Sequence, residues 1–323
     1  MNTANRSFAL VMATAAAPYG MVLLGGCGLG AYVVGRVAED GFDTLRRGVL
    51  LPAVAMLALL LIGAAAGASS VTRQVAATRR LIDHVDRNRA IPPLGTPLGV
   101  EVVDHDEPFA FTFGFGEPRV AVSRGLIERL SADELEAVVV HERYHVHARD
   151  PLKLVAARAA ARTCFFLPAV SHLVARYLAG RELAADRRSL RDLGRSAVAG
   201  ALFKVVAGPD WDELDTAAAM ARPDMLAVRV DQLERGTEPS LPTLPGTAVA
   251  ISALVLAVLG GIVTALTLQS GLSGAAGADH SLSVADLGGA IAGGLACTAG
   301  WVLLIIVAWR RLDRMGLTTT SSS

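Results

Sequence analysis

Residues 141–145 read His-Glu-Arg-Tyr-His, an H-E-x-x-H pattern. On a helix, positions four apart are separated by only about 40° around the axis and by one turn along it. His141 and His145 therefore project from one face and can share a single ion. Catalytic zinc usually takes three protein ligands and leaves a fourth place to water. Glu142 points close to the same side, where its carboxylate, ionised at neutral pH, can take a proton from that water. The chemistry written in this pattern is metal-assisted hydrolysis, with one Zn²⁺ per chain.

A third ligand is expected on a later helix. Arg181-Glu182-Leu183-Ala184-Ala185-Asp186 gives an E-x-x-x-D, again two groups on one helical face. Glu182 is the expected third metal ligand. Asp186 is expected to accept a hydrogen bond from the free nitrogen of a ligating imidazole, which fixes the tautomer and raises ligand basicity. The bland alternative for both carboxylates is a solvated face paired with Arg181, Arg187 or Arg188, a common and nearly neutral arrangement.

These groups need elements to hold them. Ser131 and Glu134 form an S-x-x-E capping box that opens a helix through His141 and His145. Pro151 cannot continue that helix, and Asp150-Pro151 suits the N-cap and first turn of the next one. Pro168 starts a further helix carrying Glu182 and Asp186. Upstream, Phe109, Phe111, Phe113 and Phe115 alternate on one face of an extended strand, expected as a buried sheet face. Gly116-Glu117-Pro118 marks a turn, and Arg119–Ser123 return as a second strand. Residues 70–90 read as a polar helix ending before Pro92-Pro93. His147 falls on another helical face than the ligands and is expected to be exposed.

The chain has 323 residues, a formal net charge of zero and 52% hydrophobic residues. No basic stripe supplies the charge that nucleic-acid binding needs, so no nucleic-acid partner is expected. Charge-free stretches separate Arg6 from Arg36, Arg47 from Arg73, Glu238 from Asp279 and Asp286 from Arg310. Each exceeds the roughly 20 apolar residues that cross a bilayer, giving expected spans near 8–34, 49–69, 247–268 and 287–309. The first run is too long for a cleaved signal segment. Cys27, Cys164 and Cys297 form no CxxC pair and belong to no expected metal set or disulfide framework. The arginines at 73, 79, 80, 87 and 89 and in the tail, against a 269–286 loop without Lys or Arg, place the middle region on the cytoplasmic side.

Taken together, these pieces resemble the membrane-bound gluzincin peptidases, a group with HtpX-like and CAAX-prenyl-protease-like enzymes and the peptidase modules of β-lactam sensors. The likeness covers roughly 95–235. Pro108-Phe109-Ala110-Phe111 with Gly114 is similar to the group's substrate-lining strand, and Pro118–Leu126 to its second strand and turn. Leu130–Asp150 is similar to the metal helix, with an aspartate five residues after His145, and Glu182–Asp186 to the third-ligand segment. Pro223 with Arg229-Val230 and Leu233 resembles a late segment, which implies that Arg229 steadies the developing oxyanion. Arg222 stands where HtpX-like chains often carry histidine. With no S-x-x-K and no large domain expected after the last span, a β-lactam-binding sensor is excluded.

The resemblance implies a mainly α membrane protein with four transmembrane helices and an inserted α+β zincin-like domain. The expected division is 1–72 (two spans), 73–240 (peptidase domain) and 241–323 (two spans and a short disordered tail). The implied activity is hydrolysis of membrane-associated or regulatory proteins at the cell membrane. The substrate is expected to lie extended beside Phe109, Ala110 and Phe111. The rival reading is a non-catalytic membrane transducer or scaffold that keeps the fold.

Overall fold

The structure is a computed structural model that describes residues 3–40, 50–206, 223–236 and 239–276. It is mostly helical, with one small mixed sheet. Two compact units are present: Met1–Phe8, Ser69–Ala159 and Ala175–Pro242 make the first, and Ala9–Ala68, Ala160–Val174 and Thr243–Ser323 the second.

In the second unit lie most of α1 (Thr3–Asp40), the first part of α2 (Leu50–Arg87) and α8 (Gly246–Ala276). Among the described residues, Leu51–Arg87 and Gly246–Ala265 are long and apolar enough to cross a membrane. In their most apolar windows only 28% and 33% of residues are buried. A core helix of a water-soluble protein would hide that surface, whereas here Leu57, Leu61, Ile62, Ile251, Leu254 and Val258 are exposed. Met56, Leu60 and Leu259 form the unit's buried cluster. The Ser252 hydroxyl, fully buried, accepts a hydrogen bond from the Ala169 amide at 3.0 Å, satisfying a helix-start donor away from water. The span read at 8–34 falls in α1, and the one read at 287–309 lies outside the described residues.

In the first unit, α2 continues past Ser69 as the polar helix expected from the sequence and ends at Arg87, ahead of Pro92-Pro93. The sheet comprises β1 (Arg89–Ala90), β2 (Val100–Val103), β3 (Ala110–Phe113) and β4 (Arg119–Ser123), in the order β1-β2-β4-β3. β2 and β4 run parallel; the other neighbours are antiparallel. Gly114, at φ +92°, lets the chain leave β3 for the turn into β4, a backbone region that costs glycine little. The phenylalanine row is a buried sheet face, as expected: Phe111 and Phe113 pack with Leu81 and Val85 of α2 and with Val103 and Ala121.

β3 is an edge strand, and its register decides what that edge offers. The Ser123 amide donates to the Phe109 carbonyl at 3.0 Å. In an antiparallel ladder such pairs alternate, so Phe109, Phe111 and Phe113 direct their backbone groups at β4. Those of Ala110 and Thr112 point to the open side.

Ser123 caps α3 (Arg124–Arg129), and Ser131 with Glu134 completes the predicted capping box of α4 (Ala132–Ala148). Gly125 is required where it stands: a Cβ would lie 1.8 Å from the Asp106 carbonyl oxygen. α4 ends at Arg149 in the left-handed region (φ 53°, ψ 40°), and α5 (Asp150–Thr163) starts at once. α6 (Pro168–Val206) bends at Gly194, and α7 (Pro223–Arg235) packs against it. The Ser189 hydroxyl donates to the Ala137 carbonyl and the Gln232 amide to the Leu183 carbonyl, tying α6 to α4 and α7 to α6.

Phe113 sits under both α2 and the sheet. Phe113→Ala should cost about 3–5 kcal/mol and lower the thermal unfolding midpoint of the detergent-solubilised chain; an unchanged midpoint would contradict this packing.

Candidate metal centre

The spacing logic of H-E-x-x-H is realised on α4. His141, Glu142 and His145 are all buried, and His141, His145 and Glu182 each offer a ligand atom within 4.8 Å of the others. The two Nε2 atoms are 3.2 Å apart, Glu182 Oε2 is 3.4 Å from His141 Nε2, and Oε1 is 3.7 Å from His145 Nε2. Ligands about 2.0–2.1 Å from a tetrahedral ion lie about 3.3–3.4 Å from one another. The three groups therefore already stand near the separations that zinc would impose.

The outer nitrogens explain why the inner ones converge. His141 Nδ1 is 2.8 Å from Asp186 Oδ1, and His145 Nδ1 is 2.7 Å from Asp150 Oδ2. Each carboxylate accepts a hydrogen bond from the Nδ1–H of its histidine, leaving Nε2 as the lone-pair atom of a neutral imidazole. Two such lone pairs and a carboxylate at these distances repel unless positive charge lies between them.

The surroundings supply net negative charge. Glu142, Asp150, Glu182 and Asp186 are buried together with Arg181, and the Arg229 guanidinium is mostly covered. Four carboxylates against two guanidiniums leave two negative charges, which a dication would neutralise. Burial opposes ionisation of Asp186, but Arg229 and then His141 outweigh it and hold the carboxyl down at about 2. Burial likewise opposes a charged Glu182, and His145, His141 and Arg181 hold it well below the usual carboxylate range. For His141 burial disfavours the cation, yet Asp186 and Glu182 raise the imidazole to about 9. In metal-free protein a proton thus supplies the positive charge that the cluster demands.

The solvated-face alternative for Glu182 and Asp186 fails, since they are 4% and 1% exposed. Arg181, instead of lying on a surface, is buried with Nε and Nη2 at 3.2 and 3.1 Å from Glu182 Oε1. Arg229 donates from Nε and Nη2 to the two oxygens of Asp186, both at 2.7 Å. It therefore braces the carboxylate that orients His141. Phe109, Ala110 and Phe111 lie on or beside β3, whose Thr112 approaches α4: its hydroxyl is 2.8 Å from Glu142 Oε2 and 2.9 Å from the Glu142 carbonyl. His147 is exposed, with Nδ1 2.6 Å from the Arg143 carbonyl.

Sequence reasoning missed several of these partners. Asp150 reads as a helix cap, but its carboxylate goes to His145 and accepts from the Tyr177 hydroxyl at 3.2 Å. Its place five residues after His145 was the available signal. Tyr177 and Thr112 carried none, because each meets the site only through tertiary packing.

Comparison with known proteins gives a consistent picture. Residues 54–214 match the model of Peptidase family M48. A Protease HtpX homolog of Gemmatimonas aurantiaca is 40% identical over 88 residues, which is 27% of this chain and 30% of that protein. The Protease HtpX homolog of Salinibacter ruber is 39% identical over 88 residues, 27% of this chain and 31% of its own length. Protease HtpX of Thioalkalivibrio sulfidiphilus is 35% identical over 100 residues, 30% and 34% of the two chains. The matched part thus spans about a third of these curated relatives. No solved structure matches the chain.

Because a metal ion must displace the proton on His141, Zn²⁺ binding should release protons below the raised value of about 9. Apparent affinity should climb by up to about tenfold per pH unit from 7 to 9 and then level off. Competition titration against a chromophoric chelator measures this, and a flat profile would refute it. Asp150→Ala and Asp186→Ala should each weaken metal binding by about 10–100-fold in the same titration.

Proposed function

We propose that the chain, which matches the model of Peptidase family M48 over residues 54–214 and is similar to HtpX proteases, is an integral-membrane, zinc-dependent endopeptidase of that kind. The observation that carries the reading is the convergence of two Nε2 atoms and a carboxylate, each imidazole held from behind by its own aspartate, next to a buried glutamate. In this proposal His141, His145 and Glu182 hold the ion and Asp186 orients His141. The cell membrane holds the chain through four spans, at 8–34, 49–69, 247–268 and 287–309. The peptidase domain, 73–240, lies between the membrane segments 1–72 and 241–323 and faces the cytoplasm.

Bound zinc supplies Lewis-acid polarisation of the scissile carbonyl and lowers the pKa of water. The remaining steps belong to the protein. Glu142 takes the proton from the attacking water and returns it to the leaving amine. Thr112 holds the Glu142 carboxylate through its hydroxyl, with one proton to donate. Arg229 contributes positive charge towards the developing oxyanion; one bond each from Nε and Nη2 goes to Asp186, and the remaining N–H groups of the guanidinium serve that task.

The substrate is a protein or peptide segment of a membrane-associated or regulatory protein. It adds as a strand to the open edge of β3. The backbone groups of Ala110 and Thr112 receive it, between the side chains of Phe109 and Phe111, which serve as the walls of the groove.

Glu142→Gln in the full chain, purified in detergent, should lower cleavage of an unfolded protein such as casein by about 10²–10⁴-fold. Bound metal should be unchanged. Full activity in this variant would defeat the assignment, and stoichiometric zinc without any hydrolysis in the parent chain would favour a non-catalytic transducer.

A further inference from the structure

Beside the metal centre, the first unit contains a small cleft. His145 and Thr112 both line it, so it adjoins the proposed ligands and base. Its walls are mainly aromatic and aliphatic, Phe111, Phe113 and Phe115 from the sheet side and Leu154 from α5, and Asp150 and Arg181, engaged by His145 and Glu182, line it as well. Gln74, Thr78 and Leu81 close it from α2, on one helical face at spacings of four and three.

The register of β3 connects this cleft to a bound strand. Directly opposed residues on paired strands place their side chains on the same face of the sheet. A substrate residue opposite Phe111 or Phe113 therefore sends its side chain to the phenylalanine face, where the cleft lies. Neighbouring substrate residues point to the other face, towards α4. One side chain near the scissile bond thus enters a space lined largely by aromatic rings.

Gln74 adds a polar requirement. Its Nε2 donates to the Ser70 carbonyl at 3.2 Å, a partner that can only accept, which fixes the amide orientation. Its Oε1 is then a buried acceptor without a partner. Leaving such a group unmatched is unfavourable, a penalty that a donor on the incoming side chain relieves after a small rotation of the amide.

We infer that this cleft is a specificity pocket for an aromatic substrate residue flanking the scissile bond, tyrosine above phenylalanine, with Gln74 and Thr78 as its specificity-determining residues. The inference rests on the peptidase reading above. The aromatic walls favour a ring by offset or edge contacts. Charged side chains are disfavoured because the charged groups of the lining, Asp150 and Arg181, are already engaged by His145 and Glu182.

The test uses the full chain in detergent, zinc-loaded, with a set of fluorogenic peptides carrying Tyr, Phe, Ala, Lys or Asp at each position around the cut. The expected order at one position is Tyr, then Phe, then Ala, with at least about tenfold in kcat/KM between Phe and Ala and the charged residues poorest. Gln74→Leu should erase the advantage of Tyr over Phe and leave Phe over Ala intact. Thr78→Phe should fill the pocket and compress the preference for Phe over Ala. A profile flat at every position, a preference for charged residues, or ratios unmoved by both variants would overturn the inference. If Thr78→Phe loses bound zinc and so reports misfolding, the Tyr to Phe ratio in Gln74→Leu decides alone. Cleavage that survives Glu142→Gln would instead remove the peptidase reading itself, so the two failures are distinguishable.

Discussion

Two imidazole nitrogens whose protons have been drawn to the far side of each ring, facing one another at 3.2 Å across a carboxylate, cannot rest without a cation. Most other features of the first unit serve to create that conflict and hold it in place. Asp150 and Asp186 select the tautomers, Arg229 and Tyr177 hold the two aspartates, and Arg181 fixes an oxygen of Glu182. These groups are buried, or for Arg229 mostly covered, where a charge is tolerated only with partners. The cluster is therefore coupled: removing one member leaves another charge uncompensated, which is costlier than losing a single contact.

The scaffold brings together elements distant in sequence. α4 carries both histidines and the glutamate between them, and α6 carries Glu182 and Asp186. The Ser189–Ala137 bond and the packing of Ala137 with Ala197, Val198 and Leu202 hold the two helices together. The sheet contributes through one residue, Thr112, whose side chain meets Glu142 while its backbone faces the open edge. In the proposed reaction, strand addition and proton transfer are consequently adjacent events on one structural element.

Local periodicity made a good part of this legible in the sequence. The pairings of H-E-x-x-H and E-x-x-x-D follow from helical geometry alone, the capping box announced α4, and the alternating phenylalanines announced β3. The long apolar runs marked the helices later seen as α2 and α8. What the sequence could not show were side chains whose role exists only after packing. Asp150 looked like a cap because aspartate before proline usually is one, yet its carboxylate is turned to His145. Arg181 looked like a surface cation because its burial depends on neighbours supplied by other helices. Thr112 sat unnoticed between two phenylalanines whose hydrophobicity dominated the pattern.

The corner at Arg149 carries a consequence for how this chain tolerates change in length. A single left-handed residue separates the end of α4 from the start of α5, and it is this abrupt reversal that brings Asp150 back to His145. Surface connections between helices generally accept insertions and deletions at little thermodynamic expense. Here, one residue more or less would swing the aspartate by about 100° around the helix axis and direct its carboxylate away from the ring. Length variation among natural or engineered versions of this chain should therefore gather elsewhere, leaving the interval from His145 to Asp150 invariant.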